Sequence, residues 1–233
     1  MEGRVERALP PGQRVKADFP RYGLPSFAPR WPTPGTDPRL QVVGDVASPC
    51  EIRLSDLAPL PRREQVSDLH CVATWSRLEI RWGGYRIRDV YESVIAPRAK
   101  PHPEVRYVWL KGADGFSASL LLEDALADDA LLADALDGKP LAPEHGAPVR
   151  MVAPAHYGYK SVRHLCAIGL YRELRPGYGG PLVHARGRVE WEERSRYLPG
   201  VFYRYLYRAV LPFTLWLHRR LGAAGRIAGP ERG

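Results

Sequence analysis

Glycine occupies 22 and proline 23 of the 233 positions, spread along the whole chain. Proline fixes φ and removes a donor, and glycine costs backbone entropy inside a regular element, so long uninterrupted helices are excluded from most of the chain. Many turns joining short elements are expected. Short strands are predicted at 40–44 (LQVVG), 64–72, 105–110 (VRYVWL) and 149–153, with a further apolar stretch at 162–170. Residues 116–120 are expected to pair with 105–110. Residues 87–95 (IRDVYESVI) place Ile87, Val90, Tyr91 and Val94 on one helical face. Ser55 is expected to cap a helical turn over LSDLAPL that Pro61 stops. Residues 123–137, rich in Ala, Leu and Asp, read as a solvated helical face with Glu123 and Asp124 at its start, followed by an Asp137-Gly138 turn. Short strands mixed with short helices, without βαβ alternation or internal repeat, give an α+β fold class. Three segments follow: an extended N-terminal arm over 1–38, a main domain over 39–175, and a linker with a helical tail over 176–233.

A hydrophobic content of 45% with 26% charged residues suits a globular protein whose core can surround a cofactor. Cys50, Cys71 and Cys166 are odd in number and form no CxxC pair, which argues against a zinc site or a disulfide framework and for a reducing compartment. The opening MEGRVERALPPGQ shows no apolar h-region and no twin-arginine pair, so the expected location is cytoplasmic. The net charge of +8 is unevenly placed: from residue 194 onward eight arginines face Glu231 alone, a surplus of +7. A near-neutral body without a basic stripe or a known motif argues against nucleic acid as a partner.

Two stretches carry chemistry. In LHCVATWSRLEIRWGG (69–84), Cys71 follows His70 and precedes the polar, aromatic run Thr74, Trp75, Ser76. A cysteine there is either a buried thiol or a soft ligand for a metal in a sulfur-rich site. Trp75 and Trp82 read as packing or shielding residues. In PEHGAPVRMVAPAHYGYKSVRHL (143–165), His145, Arg150, His156, Lys160, Arg163 and His164 lie among glycines. Such a cluster is either a basic surface loop or an anion cradle, in which Arg gives forked contacts and Lys a point charge. Its histidines lack the spacing of paired zinc ligands.

HCVATWS with its following Trp-Gly pair, then EHGAPVR, then HYGYKSVR, resembles in order and spacing the molybdopterin-binding domain of the sulfite-oxidase family. The resemblance covers about residues 15 to 175. It is nearer to the catalytic subunit of bacterial methionine-sulfoxide reductases than to animal and plant sulfite oxidases. It implies a sulfite-oxidase-type α+β fold, a molybdopterin cofactor carrying Mo, and an oxidoreductase that transfers an oxygen atom to or from a small sulfur-containing or related substrate. By the same resemblance Cys71 ligates molybdenum, and Tyr157 and Tyr159 line the cavity over the metal. His145, Arg150, Lys160, Ser161, Val162 and Arg163 hold the pterin. Arg21 or Tyr22, in FPRYGLP, matches the arm that closes the site.

The sequence also departs from the family. Where many sulfite oxidases place an arginine soon after the cysteine, this chain reads ATWS, which argues against sulfite. It has neither the haem domain nor the immunoglobulin-like domain of the eukaryotic enzymes, which implies a separate redox partner: a haem protein, a quinone or a flavoprotein. The alternative function is a non-catalytic molybdopterin-binding or carrier protein.

Residues 198–221 (LPGVFYRYLYRAVLPFTLWLHRRL) are interrupted by Arg204 and Arg208, and so fall short of the about 20 apolar residues that span a bilayer. As a helix they place Phe202, Leu206, Ala209, Phe213 and Trp216 on one face. Arg204, Arg208 and Arg219 fall towards the other, where Leu211 and Leu215 spoil the pattern. Pro212 is expected to kink or divide the helix. Two readings follow: a helix that packs back on the domain, or an interfacial segment making peripheral contact with a membrane.

Overall fold

The computed structural model describes residues 9–33, 38–178 and 184–227. The expectations for residues 1–8 and for Glu231 and Arg232 lie outside them.

Two sheets of short strands form the body. The first is organised on β5 (Trp75–Arg86). β4 (Arg62–His70) pairs antiparallel along one of its edges. The other edge is shared by β1 (Arg14–Val15), parallel to its start, and β8 (Leu131–Leu136), antiparallel to its end. β9 (Lys139–Pro140) and β10 (Arg150–Val152) continue from β8. The second sheet runs in the order β3 (Cys50–Arg53), β2 (Arg39–Gly44), β11 (Leu165–Tyr171), β6 (Tyr107–Gly112), β7 (Ser117–Leu121), with only β2 and β11 parallel. Helix continues over 87–99 with a π turn at Tyr91–Ile95, and a long helix spans Gly200–Ile227.

These elements follow from the residues. β8 reads Leu131, Leu132, Ala133, all buried, as befits a strand covered on both faces. At Gly84, opposite Ala133, a Cβ would collide with the Leu132 carbonyl, so glycine is what lets β5 and β8 close there. The main core gathers Leu40, Val42, Ile52, Val90, Leu110, Leu120, Met151 and Leu170. Each such side chain contributes about 1.5–3 kcal/mol by leaving water. A second cluster of Leu69, Trp75, Ile80, Trp82 and Val152 takes partly buried Phe19, Tyr22, Cys71, Tyr207 and Leu211 against it. This second cluster builds the functional site.

The α+β class is observed, with five corrections of detail. The turn at Leu54–Leu57 is capped from Arg53, not Ser55: the Asp56 carboxylate accepts the Arg53 N–H at 3.1 Å. The stretch 123–137 is helical only at its start, Leu122–Ala125, because Leu131–Leu136 finds partners on both sides in a sheet. Asp124 is not solvated there; it pairs with Arg188 at 2.9 Å and His156 at 3.3 Å. The strand expected over 64–72 ends at His70, because the chain must reverse: the Cys71 N–H donates to the Trp75 carbonyl at 2.8 Å, and Thr74 takes φ 73°. Pro212 does not divide the long helix. It lies on the outward face, while the inner face is held on either side of it, by Arg204 to Glu192 at 2.9 Å and Trp31 to the Gly222 carbonyl at 2.9 Å.

Candidate cofactor site

Cys71 sits at the first position of the β4–β5 hairpin turn, the tightest place between two long paired strands. Its backbone is fixed from the arm: Gln13 Nε2 donates to the Cys71 carbonyl at 3.1 Å. Ser76 Oγ donates to Gln13 Oε1 at 3.1 Å and stands 2.7 Å from His70 Nδ1. Arg194, its side chain fully buried, donates to the Val72 carbonyl and, at 3.2 Å, to that of Pro11. The turn is thus braced from both sides, and the Ala73 N–H donates to Cys71 Sγ at 3.4 Å.

The sulfur opens into a cavity of about 390 Å³, a size that suits a small-molecule cofactor. Of the residues predicted for the site, Cys71, Tyr22, Arg150, Tyr159, Ser161, Val162 and Arg163 line it. Arg150 is buried at the head of β10. It donates to the His145 carbonyl at 2.9 Å and the Ser161 carbonyl at 3.0 Å, with its guanidinium 5.0 Å from the Trp82 ring centroid. The Ser161 hydroxyl accepts the Ala153 N–H at 3.1 Å. Arg163 donates to the Tyr22 carbonyl at 3.3 Å, which ties the arm to the SVR segment. Gly146, at φ 106°, brings HGAPVR against Arg163; a Cβ there would lie 2.9 Å from the Arg163 Cβ.

The remaining predicted residues stand outside the lining. His145 stacks on Phe19 with centroids 4.7 Å apart. Tyr157 is buried under Arg194, 4.9 Å from ring centroid to guanidinium, and pairs with His70 in a single parallel bridge. Lys160 turns its ammonium away to the carbonyls of Ser119 and, at 2.6 Å, Ala185, so it serves the backbone. Arg21 likewise braces the arm, donating to the Ala28 carbonyl at 2.6 Å and the Arg30 carbonyl at 2.7 Å while stacking on Trp31. Sequence reasoning missed Phe19, Asp114, Arg194, Tyr203 and Tyr207 in the wall. None belongs to the two motifs, and the two tyrosines come from the long helix. The only signal for those two was their i, i+4 spacing.

The electrostatics fit an anionic, metal-bearing group. Burial pulls the Arg150 pKa down to about 9, with Arg163 adding repulsion, yet the guanidinium stays charged at neutral pH. Burial lowers Arg163 as well, partly offset by Asp114. The described hydrogen bonds of both arginines go to carbonyls, so their charge is left for a ligand. Burial pushes the Cys71 thiol up to about 12, despite the Ala73 N–H and the through-space pull of Arg194 and Arg163. A thiolate is therefore stable at this position only beside a further cation, which a metal supplies. Trp75 Nε1, in the wall, is buried without a hydrogen-bond partner among the described residues, another polar group left for a ligand. Cys71 brings a sulfur to the cavity, and among the described residues no group of three or more His, Cys, Asp or Glu could hold a metal. The remaining donors must come with the cofactor, as dithiolene sulfurs do in a molybdopterin. The residues fit the group.

The family comparison agrees with the site. The model of the oxidoreductase molybdopterin-binding domain matches residues 30–179. The uncharacterized oxidoreductase YuiH of Bacillus subtilis (strain 168) is 39% identical over 175 residues, covering 73% of this chain and 82% of that protein. The crystal structure of the sulfane dehydrogenase SoxCD from Paracoccus pantotrophus superposes with a TM-score of 0.52 at 23% identity, over 64% of this chain and 41% of that one, and shares the fold. The chain belongs to the oxidoreductase molybdopterin-binding domain family: it is an oxidoreductase of the sulfite-oxidase-like fold whose cofactor is molybdopterin with Mo.

Proposed function

We propose that this protein performs two-electron oxygen-atom transfer to or from a small sulfur-containing substrate, with electrons exchanged with a separate carrier. One observation carries the reading: the Cys71 sulfur and the guanidinium of Arg150 share one cavity, in which the described hydrogen bonds of Arg150 go only to carbonyls. Cys71 would supply the protein's ligand to molybdenum, while Arg150 and Arg163 would hold the anionic end of the pterin. When bound, the cofactor supplies the two-electron, oxygen-transferring chemistry. Tyr22, Tyr203 and Tyr207, which line the same cavity, would shield the bound group from water. Tyr159, whose hydroxyl donates to the His184 carbonyl at 3.3 Å and whose ionisation burial opposes, remains a neutral wall. The turn after Cys71 itself offers Val72, Ala73 and Trp75 to the cavity, and the nearby Arg194 is committed to Glu192 and to the carbonyls of Val72 and Pro11, which favours a neutral substrate such as a sulfoxide over sulfite.

The three cysteines are free, which supports a reducing, cytoplasmic setting. No helix of the described residues is long and apolar enough to cross a membrane, and we place the electron carrier at a membrane that the protein reaches through its long helix. The deciding experiment assays cofactor-loaded protein in both directions, a sulfoxide with a reduced dye and sulfite with an oxidised dye. Turnover of the sulfoxide is expected. Metal content without turnover in either direction would favour the carrier alternative.

A further inference from the structure

The inward face of the long helix carries its polar groups beside Tyr203, Tyr207 and Leu211. Arg204 pairs with Glu192, Arg208 donates to the Gly12 carbonyl at 3.2 Å, Tyr22 and Thr214 share a hydrogen bond of 2.9 Å, and His218 is buried. The stripe at i, i+3/4, i+7 spacing that a helix in a globular protein buries is here turned out. Phe202 is 56%, Tyr205 63%, Phe213 61% and Trp216 51% exposed, with Leu206 and Val210 between them. Trp191, Tyr197 and Leu198 extend the exposed apolar surface towards the start of the helix. A contiguous patch of this kind marks an interaction site.

Charge selects the occupant. No acidic residue occurs from Arg196 to Ile227. Exposed Arg196 and Arg220 flank the stripe, and the Arg220 guanidinium lies 5.4 Å from the Trp216 ring centroid. A two-fold contact with a second copy would set this surface against itself, arginine against arginine with no helix acid to intervene. Aromatic and leucine side chains bordered by arginine, on a helix that does not span, match the headgroup region of a negatively charged bilayer.

We propose that this helix face docks in the plane of an anionic lipid surface. The apolar stripe enters the headgroup boundary and Arg196 and Arg220 meet lipid phosphates. The same helix presents Tyr203 and Tyr207 to the Cys71 cavity on its inner side. Docking therefore sets the cavity about one helix diameter, ~10–12 Å, from the membrane surface. The inference deepens the membrane contact within the proposed function and requires no redox step, so molybdenum content and vesicle binding are read separately.

The test is co-sedimentation of the full chain with vesicles of phosphatidylcholine alone and of phosphatidylcholine with phosphatidylglycerol, at low and high salt. Binding is expected to the phosphatidylglycerol vesicles and to weaken with salt. Phe213→Glu with Trp216→Glu should weaken it by about tenfold or more, with the melting temperature and molybdenum content unchanged because both side chains are exposed. Phe213→Ser alone, the milder variant, should weaken it severalfold. Arg220→Gln should reduce the preference for anionic lipid. Absence of binding to anionic vesicles, equal binding to neutral ones, or full binding by both the double and the single Phe213 variants overturns the proposal. So does a dimer in sedimentation velocity that the double variant dissolves while neither form binds vesicles.

Discussion

The Gln13 side chain, one residue before β1, holds the carbonyl of Cys71 at 3.1 Å from 58 residues earlier in the chain. Its oxygen simultaneously accepts from Ser76, so one amide spans both ends of the hairpin that presents the sulfur. Gln13→Ala removes both bonds in a buried setting. The expected cost is about 1–3 kcal/mol, measured by urea denaturation, with faster loss of metal on chelator challenge than in the parent protein. An unchanged denaturation midpoint would show that the arm is not part of the hairpin's support.

Arg150→Ala and Arg163→Ala should each lower cofactor occupancy. A hydrogen bond from a charged group to a buried anion is worth about 1.5–3 kcal/mol, so occupancy should fall roughly tenfold when cofactor is limiting. Lys111→Ala, exposed in β6, is the control. Pterin fluorescence after oxidative release gives the occupancy, and equal values in all three would leave the two arginines without a role in binding.

Much of this site was legible because its parts are local. HCVATWS makes a hairpin turn and SVR follows HGAPVR closely enough for Gly146 to pack on Arg163. What stayed hidden depends on distant contacts. Lys160 sits among the motif residues, but its ammonium is taken by the carbonyls of Ser119 and Ala185, and no local pattern reveals that. Arg194 and Tyr207 reach the cavity from more than a hundred residues beyond Cys71 in sequence. Ala- and Leu-rich segment 123–137 has helical propensity, yet β5 and β10 on either side of Leu131–Leu136 supply sheet partners that override it. The long helix was foreseen with the correct apolar face, and the inward placement of Arg204 became visible only with Glu192 beside it.

Glu192 accepts from Arg194 at 3.2 Å and Arg204 at 2.9 Å, and so joins the Cys71 brace to the long helix. Glu192→Ala leaves two guanidinium groups without their carboxylate, one of them fully buried. Destabilisation of about 1–3 kcal/mol is expected, together with faster amide hydrogen exchange over residues 200–208. Exchange that is unchanged there would mean the helix is seated by its other contacts alone.

His218 is held neutral by burial and by repulsion from Arg163 and Arg21, with its pKa pulled down to about 4. An unfolded chain takes up this proton near the ordinary value of 6.5, while the folded one resists until about 4. The stability this group contributes is therefore present above pH 6.5 and is lost as the pH falls towards 4. His164, pulled down to about 4 as well, acts in the same direction. His218→Gln should flatten the fall in melting temperature between pH 6.5 and 4. A variant as acid-sensitive as the parent would remove His218 from this account.

Metal analysis of protein made in a cofactor-producing host tests the central claim, in parent, Cys71→Ser, Cys50→Ser and Cys166→Ser forms. The parent and the last two should carry molybdenum near one per chain, with a thiolate-to-metal absorption band. Cys71→Ser should lose the band, because an alkoxide is a harder and poorer donor than a thiolate. A Cys71→Ser protein with the band intact, or a parent without molybdenum, would contradict the assignment of Cys71 as the metal's protein ligand.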